Sequence, residues 1–233
     1  MSPPEGLVVL ISGRGSNLAA LAEAAQAGAL PEPVTAAISD NPDAAGLSRA
    51  AELGIDRVCV DRRRHPNRAA FEASLEAAIA GYSPRYIVLA GFMRVLSAGF
   101  VDRRPGRMVN IHPSLLPRHR GLDTHRKALA AGDQQHGASV HFVTPALDGG
   151  PVISQVRIEV DENDSAEDLA RRLLPLEHRL LVGTMALLLT ETVEVRDETI
   201  QINNQALDSP LVLDRDLVDP MPGGAGARAD RQR

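Results

Sequence analysis

Asn110 and His112 stand two residues apart in the run Val109-Asn-Ile-His-Pro-Ser-Leu-Leu-Pro117. On an extended backbone that spacing points both side chains to one face. An amide beside an imidazole offers a donor that polarises a carbonyl next to a group that carries protons, which suits acyl transfer through an oxyanion. Farther along, Leu147-Asp-Gly-Gly-Pro151 sets a carboxylate in a turn with little bulk around it. An Asp148 held near His112 would favour the imidazolium and raise its pKa. Taken singly, a His at a strand end is ordinarily a hydrogen-bonded structural residue, and Asp before Gly-Gly a turn former. Their conjunction, with Pro113 and Pro117 fixing the loop after His112, marks Asn110, His112 and Asp148 as a candidate catalytic set.

A second candidate is Ser12-Gly-Arg-Gly-Ser-Asn-Leu18, between a first strand and a first helix. Small residues there let backbone N–H groups and the helix dipole approach an anion. No Gly-Lys-Ser/Thr follows, and Leu18 stands where a dinucleotide fingerprint has its third Gly, so Gly15, Ser16 and Asn17 suit a single phosphate. Asp40, after the second strand, keeps dinucleotide binding as a minor alternative. The strand ending Ala90-Gly-Phe-Met-Arg-Val-Leu96 could flank a flat aromatic ligand and hydrogen-bond its edge. Glu177, on an otherwise apolar C-terminal helix, could hold a substrate amine or be a solvated helix charge. His136 and His141 have no metal-type spacing with each other or with His112 and His119, so no metal site is expected. Arg62-Arg63-Arg64 reads as a solvated loop, or as steering for an anionic substrate.

These residues need a scaffold, and the apolar pattern supplies one. Val- and Ile-rich runs at 7–12, 34–39, 58–61, 86–90 and 108–111 alternate with helical stretches at 18–27, 44–53, 67–80 and 123–131. Bare apolar runs suit central parallel strands covered on both faces. The order predicts an α/β, doubly wound, mostly parallel sheet. Runs at 139–144 and 152–160, separated by a Gly-rich turn, predict an antiparallel addition. Ser165 is an expected N-cap, with Asp168 three residues on, for a helix to about Leu189. Residues 192–203 alternate as an edge hairpin. A single domain over 1–219 is expected, with 220–233 a disordered tail.

The chain has 233 residues, 44% of them hydrophobic and only 3% aromatic, so Ala, Leu and Val must fill the core. A formal charge of −5 argues against a general nucleic-acid binder. The single Cys59 lies in the apolar run Val58-Cys-Val60, is expected to be buried, and with no internal disulfide fits a reducing cytoplasm. No signal peptide or membrane span is expected.

Taken together, six segments resemble the folate-dependent glycinamide ribonucleotide formyltransferases: 11–18, 89–96, 110–117, 137–143, 147–153 and Glu177-His178. They run in the family's order and extend across residues 7 to 205. Asn-Ile-His-Pro-Ser and Asp-Gly-Gly-Pro are common to formyltetrahydrofolate-using relatives, while Gly-Ser-Asn and Glu-His narrow the substrate. The resemblance implies a Rossmann-like formyltransferase fold and direct formyl transfer from 10-formyltetrahydrofolate to the glycinamide amine, in the cytoplasm, with no metal and no covalent enzyme intermediate. It implies Gly15, Ser16 and Asn17 on the substrate phosphate and Glu177 on the glycinamide end. Arg68, Met93, Arg94, Val95 and Leu96 would contact the folate. Asn110 would polarise the formyl oxygen, His112 manage protons, and Asp148 tune His112 and order a water. The partners implied are small molecules, not nucleic acid or membrane, and the assembly a monomer or homodimer. The chain departs from the family at His119-Arg-Gly-Leu-Asp123, where relatives often carry Tyr-Pro-Gly-Leu-His, and at Leu174, where Gln or Lys is common. Arg14 or a helix Arg is expected to replace that lost phosphate contact. The rivals are another formyl transferase or hydrolase with the same core, which should carry a further domain, and a silent phosphosugar-binding module.

Overall fold

The computed structural model describes residues 6–213 and 217, so the tail from Pro220 lies outside the described residues. Five strands alternate with helices along the first half of the chain: β1 (Leu7–Ile11), β2 (Val34–Ser39), β3 (Asp56–Cys59), β4 (Tyr86–Leu89) and β5 (Met108–His112). Between and after them lie α1 (Ser16–Gln26), α2 (Ala45–Glu52), α3 (Arg68–Ala80), α4 (Ala98–Val101) and α5 (Thr124–Ala130). Then come β6 (Gln135–Phe142), β7 (Val152–Glu159), α6 (Ala166–Thr190), and the short strands β8 (Val193–Arg196), β9 (Thr199–Ile202), β10 (Gln205–Ala206) and β11 (Leu211–Val212).

The main sheet has eight strands in the order β11-β7-β6-β5-β4-β1-β2-β3. β1 to β5 pair in parallel, and β6 enters antiparallel between β5 and β7. The doubly wound expectation is therefore met, with the switch of winding direction between β1 and β4, where such sheets open a crevice at the strands' carboxyl ends. β8, β9 and β10 form a separate antiparallel sheet, and β11 adds in parallel to β7, an edge the sequence pattern did not disclose.

The two faces of the sheet are filled differently. Leu7, Val9, Ile11, Val109, Ile111, Val140 and Phe142 point to the face that α1 and α6 cover with Leu18, Leu21, Leu173, Leu181 and Leu188. Val8, Leu10, Ile87, Leu89 and Met108 point to the other, against Phe71, Leu75 and Ile79 of α3 and Phe100 of α4. The alternation that buries Met108 on the α3 side carries Asn110 and His112 to that same side.

α6 begins at the Ser165 N-cap with a full capping box: Ser165 Oγ accepts from the Asp168 N–H, and Asp168 Oδ2 accepts from the Ser165 N–H. Pro175 sits inside this 25-residue helix and leaves the carbonyl one turn before it without an amide donor. α6 is long and apolar enough to cross a membrane, but it packs on α1, β6 and β7. Cys59 is a correction: it is exposed, because β3 is the edge strand and three of its four residues face solvent.

The turn from β1 into α1 depends on contact between two backbones. Gly15 has φ +72°, and a Cβ there would lie 2.7 Å from the Gly46 Cα of α2, whose N–H donates to the Gly13 carbonyl. Gly15→Ala combines a left-handed backbone, costing about 1–2 kcal/mol for a residue with a Cβ, with that clash. An unfolding free energy from urea titration lowered by at least ~1 kcal/mol is expected, and an unchanged value would show that the turn relaxes freely.

Candidate active site

Register puts the central group together. Asn110 of β5 is paired with His141 of β6, and His112 with Ser139. Residues opposite each other share a face. The Asn110 amide nitrogen lies 3.0 Å from His141 Nε2, and His141 Nδ1 lies 2.8 Å from the Phe142 carbonyl. With Nδ1–H given to the carbonyl, His141 accepts one amide hydrogen from Asn110 and leaves the other free. The connection from β6 to β7 leaves its strand opposite Val109 and folds back, so that Asp148 reaches both imidazoles. Asp148 Oδ2 is 3.5 Å from His112 Nδ1, and Oδ1 is 3.7 Å from His141 Nε2. Gly121 N–H donates to Asp148 Oδ2 at 2.8 Å. His112 Nε2 faces the His119 carbonyl at 3.0 Å.

Below this group a buried polar network fixes the loop after His112. Ser139 Oγ accepts from the Leu116 N–H and donates to the Ser114 carbonyl, while the Gln155 amide donates to Ser139 Oγ and to the Leu116 carbonyl. Ser114, Ser139 and Gln155 are all buried, so these hydrogen bonds specify the loop's course.

The charges follow from burial. Burial would raise the Asp148 pKa, but the closeness of His141, the hydrogen bond from the Gly121 N–H and the nearby His112 outweigh it and hold the carboxyl at about 2. His112 moves the other way from the expectation. Burial pushes its pKa below 6.5 even though the His119 carbonyl and Asp148 favour the charged ring. The free protein therefore presents a neutral imidazole beside an ionised carboxylate.

The three side chains line a cleft of about 590 Å³ with Met93, Arg94, Val95 and Leu96 on another wall and Leu122, Thr124, His125 and residues 143–147 around them. Its surface is mostly apolar. Met93, Val95, Leu122 and Leu147 stand exposed at it, a size and character that fit a flat, largely apolar ligand. Arg68 is not part of that lining. It pairs with Glu72 at 2.8 Å, and Glu72 is held in turn by the N–H and hydroxyl of Ser97, directly after the Met93–Leu96 segment.

The Ser12–Leu18 loop meets this wall through Ser12. Its N–H donates to the Gly91 carbonyl, and its hydroxyl accepts from the Met93 N–H while donating to Asp40 Oδ1 at 2.5 Å. Arg94 Nε donates to the other Asp40 oxygen at 2.5 Å. Asp40 is buried and occupied by these partners, so it does not stand ready for a ribose, and the dinucleotide alternative loses its acidic residue. α1 starts at Gly15 with no side-chain cap, leaving first-turn N–H groups open to an anion. Asn17 hydrogen-bonds Glu177, and its Oδ1 is buried without a partner. Burial pushes the Glu177 pKa up to about 7, against the lowering effects of Asn17 and Arg14. Glu177 is thus a desolvated neighbour of the anion loop, not a solvated helix charge, and it does not line the cleft with His112.

Sequence reasoning weighed His141 only as a metal ligand. The signal for its position was the alternation Ser139-Val-His141-Phe, polar residues on one face of an otherwise apolar strand. His125 and His136 also meet, Nδ1 to Nε2 at 2.9 Å, where burial and His125 lower the His136 pKa to about 4. Among the described residues no group of His, Cys, Asp and Glu could hold a metal ion.

A doubly wound sheet with an amide–imidazole–carboxylate group at its crevice defines a class, and the chain belongs to the formyl transferase family, whose model matches residues 6–185. It is 47% identical over 174 residues to the phosphoribosylglycinamide formyltransferase of Escherichia coli, covering 75% of this chain and 82% of that protein. A solved phosphoribosylglycinamide formyltransferase from Coxiella burnetii superposes with a TM-score of 0.85 at 41% identity, over 90% of this chain and 99% of that one. The human trifunctional purine biosynthetic protein adenosine-3 is 35% identical over 189 residues, 81% of this chain and 19% of that protein. Within its family the chain stands with the phosphoribosylglycinamide formyltransferases.

The His112 ring is expected to titrate below 6.5 when followed by NMR in the free protein. Asp148→Asn removes the carboxylate that favours the charged ring, so the midpoint should fall further. A midpoint above 6.5, or one that rises in Asp148→Asn, would contradict this account.

Proposed function

We propose that this chain transfers the formyl group of 10-formyltetrahydrofolate to the amine of 5'-phosphoribosylglycinamide in purine biosynthesis. The observation that carries the reading is the meeting of Asn110, His112 and Asp148 in an apolar cleft whose wall is hydrogen-bonded to an uncapped helix start. The folate, when bound, supplies a formyl group on a nitrogen that can leave once it is protonated. Met93, Val95, Leu122 and Leu147 give its rings apolar walls, and Arg94 brings a guanidinium to the same wall.

Gly15, Ser16 and Asn17 take the substrate phosphate on backbone N–H groups, and Glu177 engages the ribonucleotide beyond that phosphate. With Leu174 on α6 offering no polar contact, Arg14 supplies the additional positive charge at this loop. Asn110 directs its free amide hydrogen at the formyl oxygen as negative charge develops there. His112 is neutral at the start, so Nδ1 accepts the proton that the attacking amine must lose, since Nε2–H is given to the His119 carbonyl. Asp148, 3.5 Å away, stabilises the resulting imidazolium. His112 then returns the proton to the departing nitrogen. The buried Ser139–Gln155 network keeps the loop from shifting while the ring changes charge. We place the activity in the cytoplasm, with small molecules as partners, where a reducing medium suits the exposed Cys59 thiol.

Folded protein is expected to deformylate 10-formyl folate, as followed spectrophotometrically, only when glycinamide ribonucleotide is present, yielding the formylated ribonucleotide. Deformylation without the ribonucleotide would show a hydrolase, and binding without turnover a silent module. His112→Ala should lower kcat by about 10²–10⁴-fold, the usual worth of a positioned proton carrier, with KM little changed. Near-normal turnover in that variant would remove His112 from its role.

Glu177 offers a linkage test. A carboxyl with pKa about 7 in the free protein is partly protonated at neutral pH. Substrate donors that hydrogen-bond its charged form lower that pKa, so binding releases a proton near pH 7. Calorimetry in buffers of different ionisation enthalpy should detect this release, and Glu177→Gln should abolish it. Release that persists in Glu177→Gln would assign the proton elsewhere.

A further inference from the structure

His119 occupies a position where two kinds of contact meet. Its main-chain carbonyl accepts from His112 Nε2 at 3.0 Å, and its own ring Nε2 lies 2.6 Å from Asp133 Oδ2. The ring is largely buried, at 14% exposure, and the Asp133 side chain more so, at 6%. Arg118 pairs with the other oxygen of the same carboxylate. The backbone at His119 has φ +54°, a left-handed conformation that a side-chain-bearing residue adopts only when its surroundings impose it. The two residues that follow are tied down as well. Lys127 Nζ donates to the Arg120 carbonyl at 2.8 Å, and Gly121 N–H donates to Asp148 at 2.8 Å. One end of this segment thus touches His112 and the other Asp148, and its side-chain anchor is Asp133.

We propose that His119 is a positioning residue: its ring, held by Asp133, keeps its own carbonyl on His112 Nε2 and so fixes the tautomer of His112. A carbonyl can only accept, so the nitrogen facing it must carry the hydrogen. Nδ1 is then the nitrogen with the lone pair, on the Asp148 side, and is the one that gains and loses a proton. If the segment slackens, Nε2 loses its acceptor, and the ring can bind its single hydrogen at Nδ1, toward the carboxylate, where it can no longer take a proton from the substrate. The kinetic consequence rests on the proposed formyl transfer, whereas the tautomer is a property of the free protein.

The test uses the full chain labelled with ¹⁵N-histidine, with the His112 resonances assigned by their loss in His112→Ala. Above the titration of the ring, the wild-type protein is expected to show a protonated Nε2 and an unprotonated Nδ1. His119→Leu should give a mixture of tautomers at His112. In turnover, it should lower kcat by about 10- to 100-fold, the scale of a misplaced catalytic group, with both KM values within about threefold. His119→Gln, whose side-chain amide can reach the same Asp133 oxygen, should restore the tautomer and most of the rate. A wild-type His112 protonated at Nδ1 overturns the proposal without reference to any variant. So does a His119→Leu protein that keeps both the wild-type tautomer and the wild-type kcat, or one whose KM values rise while kcat holds. Wild-type protein that shows the expected tautomer but no formyl transfer would overturn the functional reading and uphold the positioning.

Discussion

The pairing of β5 with β6 is the constraint on which the site depends. Asn110 opposite His141 and His112 opposite Ser139 place four polar side chains on one face, while Val109, Ile111, Val140 and Phe142 fill the core on the other. A slip of one residue would exchange the two sets, burying imidazoles under α6 and exposing the core. The apolar set therefore enforces the geometry of the polar set. The antiparallel entry of β6 matters for the same reason, because a parallel strand would need a long crossover and could not return Asp148 to His112 through the nine residues between β6 and β7.

On that frame, burial decides the protonation states. Asp148 gathers a backbone N–H and two imidazoles, enough to keep its charge in a half-buried place. His112 has one carboxylate at 3.5 Å and a carbonyl, which do not compensate for the loss of water around a charged ring. The pair is held with the proton off, and the carboxylate becomes fully useful only when the ring acquires charge. Under the proposed transfer, this arrangement complements the charge that develops on the ring. Glu177 is biased in the opposite sense, toward holding a proton, because its burial outweighs the hydrogen bond with Asn17 and the charge of Arg14.

The fold was legible in the chain because its signals are local. Bare Val and Ile runs, a Ser165 with Asp168 three residues on, and Gly15 at a strand end each state their structure within a few residues. The identities of Asn110, His112 and Asp148 were legible through motif and spacing, and the structure brings these residues together. What was not legible depends on surroundings. Cys59 sits in an apolar run like those of the central strands, and only its place at the edge of the sheet exposes it. The proximity of Asp148 to His112 suggested a raised pKa, but desolvation is a sum over every neighbour and reverses the sign. Asp40 looked available for a ribose until Ser12 and Arg94, 28 and 54 residues away, took both oxygens. Arg68 points to Glu72 for a reason seen only once Ser97 is placed.

The loop after His112 shows how one requirement can be met by different chemistry. Where relatives often hold this segment with Pro, the chain has Arg120, and rigidity that would have come from a locked φ must come from elsewhere. It comes from Asp133, which receives both Arg118 and His119, from Lys127 on the Arg120 carbonyl, and from Ser114 Oγ on the Arg118 carbonyl. Asp123 takes a left-handed backbone at the start of α5. A locked φ is a local property that survives unfolding, while these anchors exist only in the folded chain. Because the Asp133 carboxylate is buried, salt screens its pairs far less than those of an exposed loop. Order around His112 is accordingly a tertiary property in this protein, and it is as secure as the packing of α5 and β6 that frames Asp133.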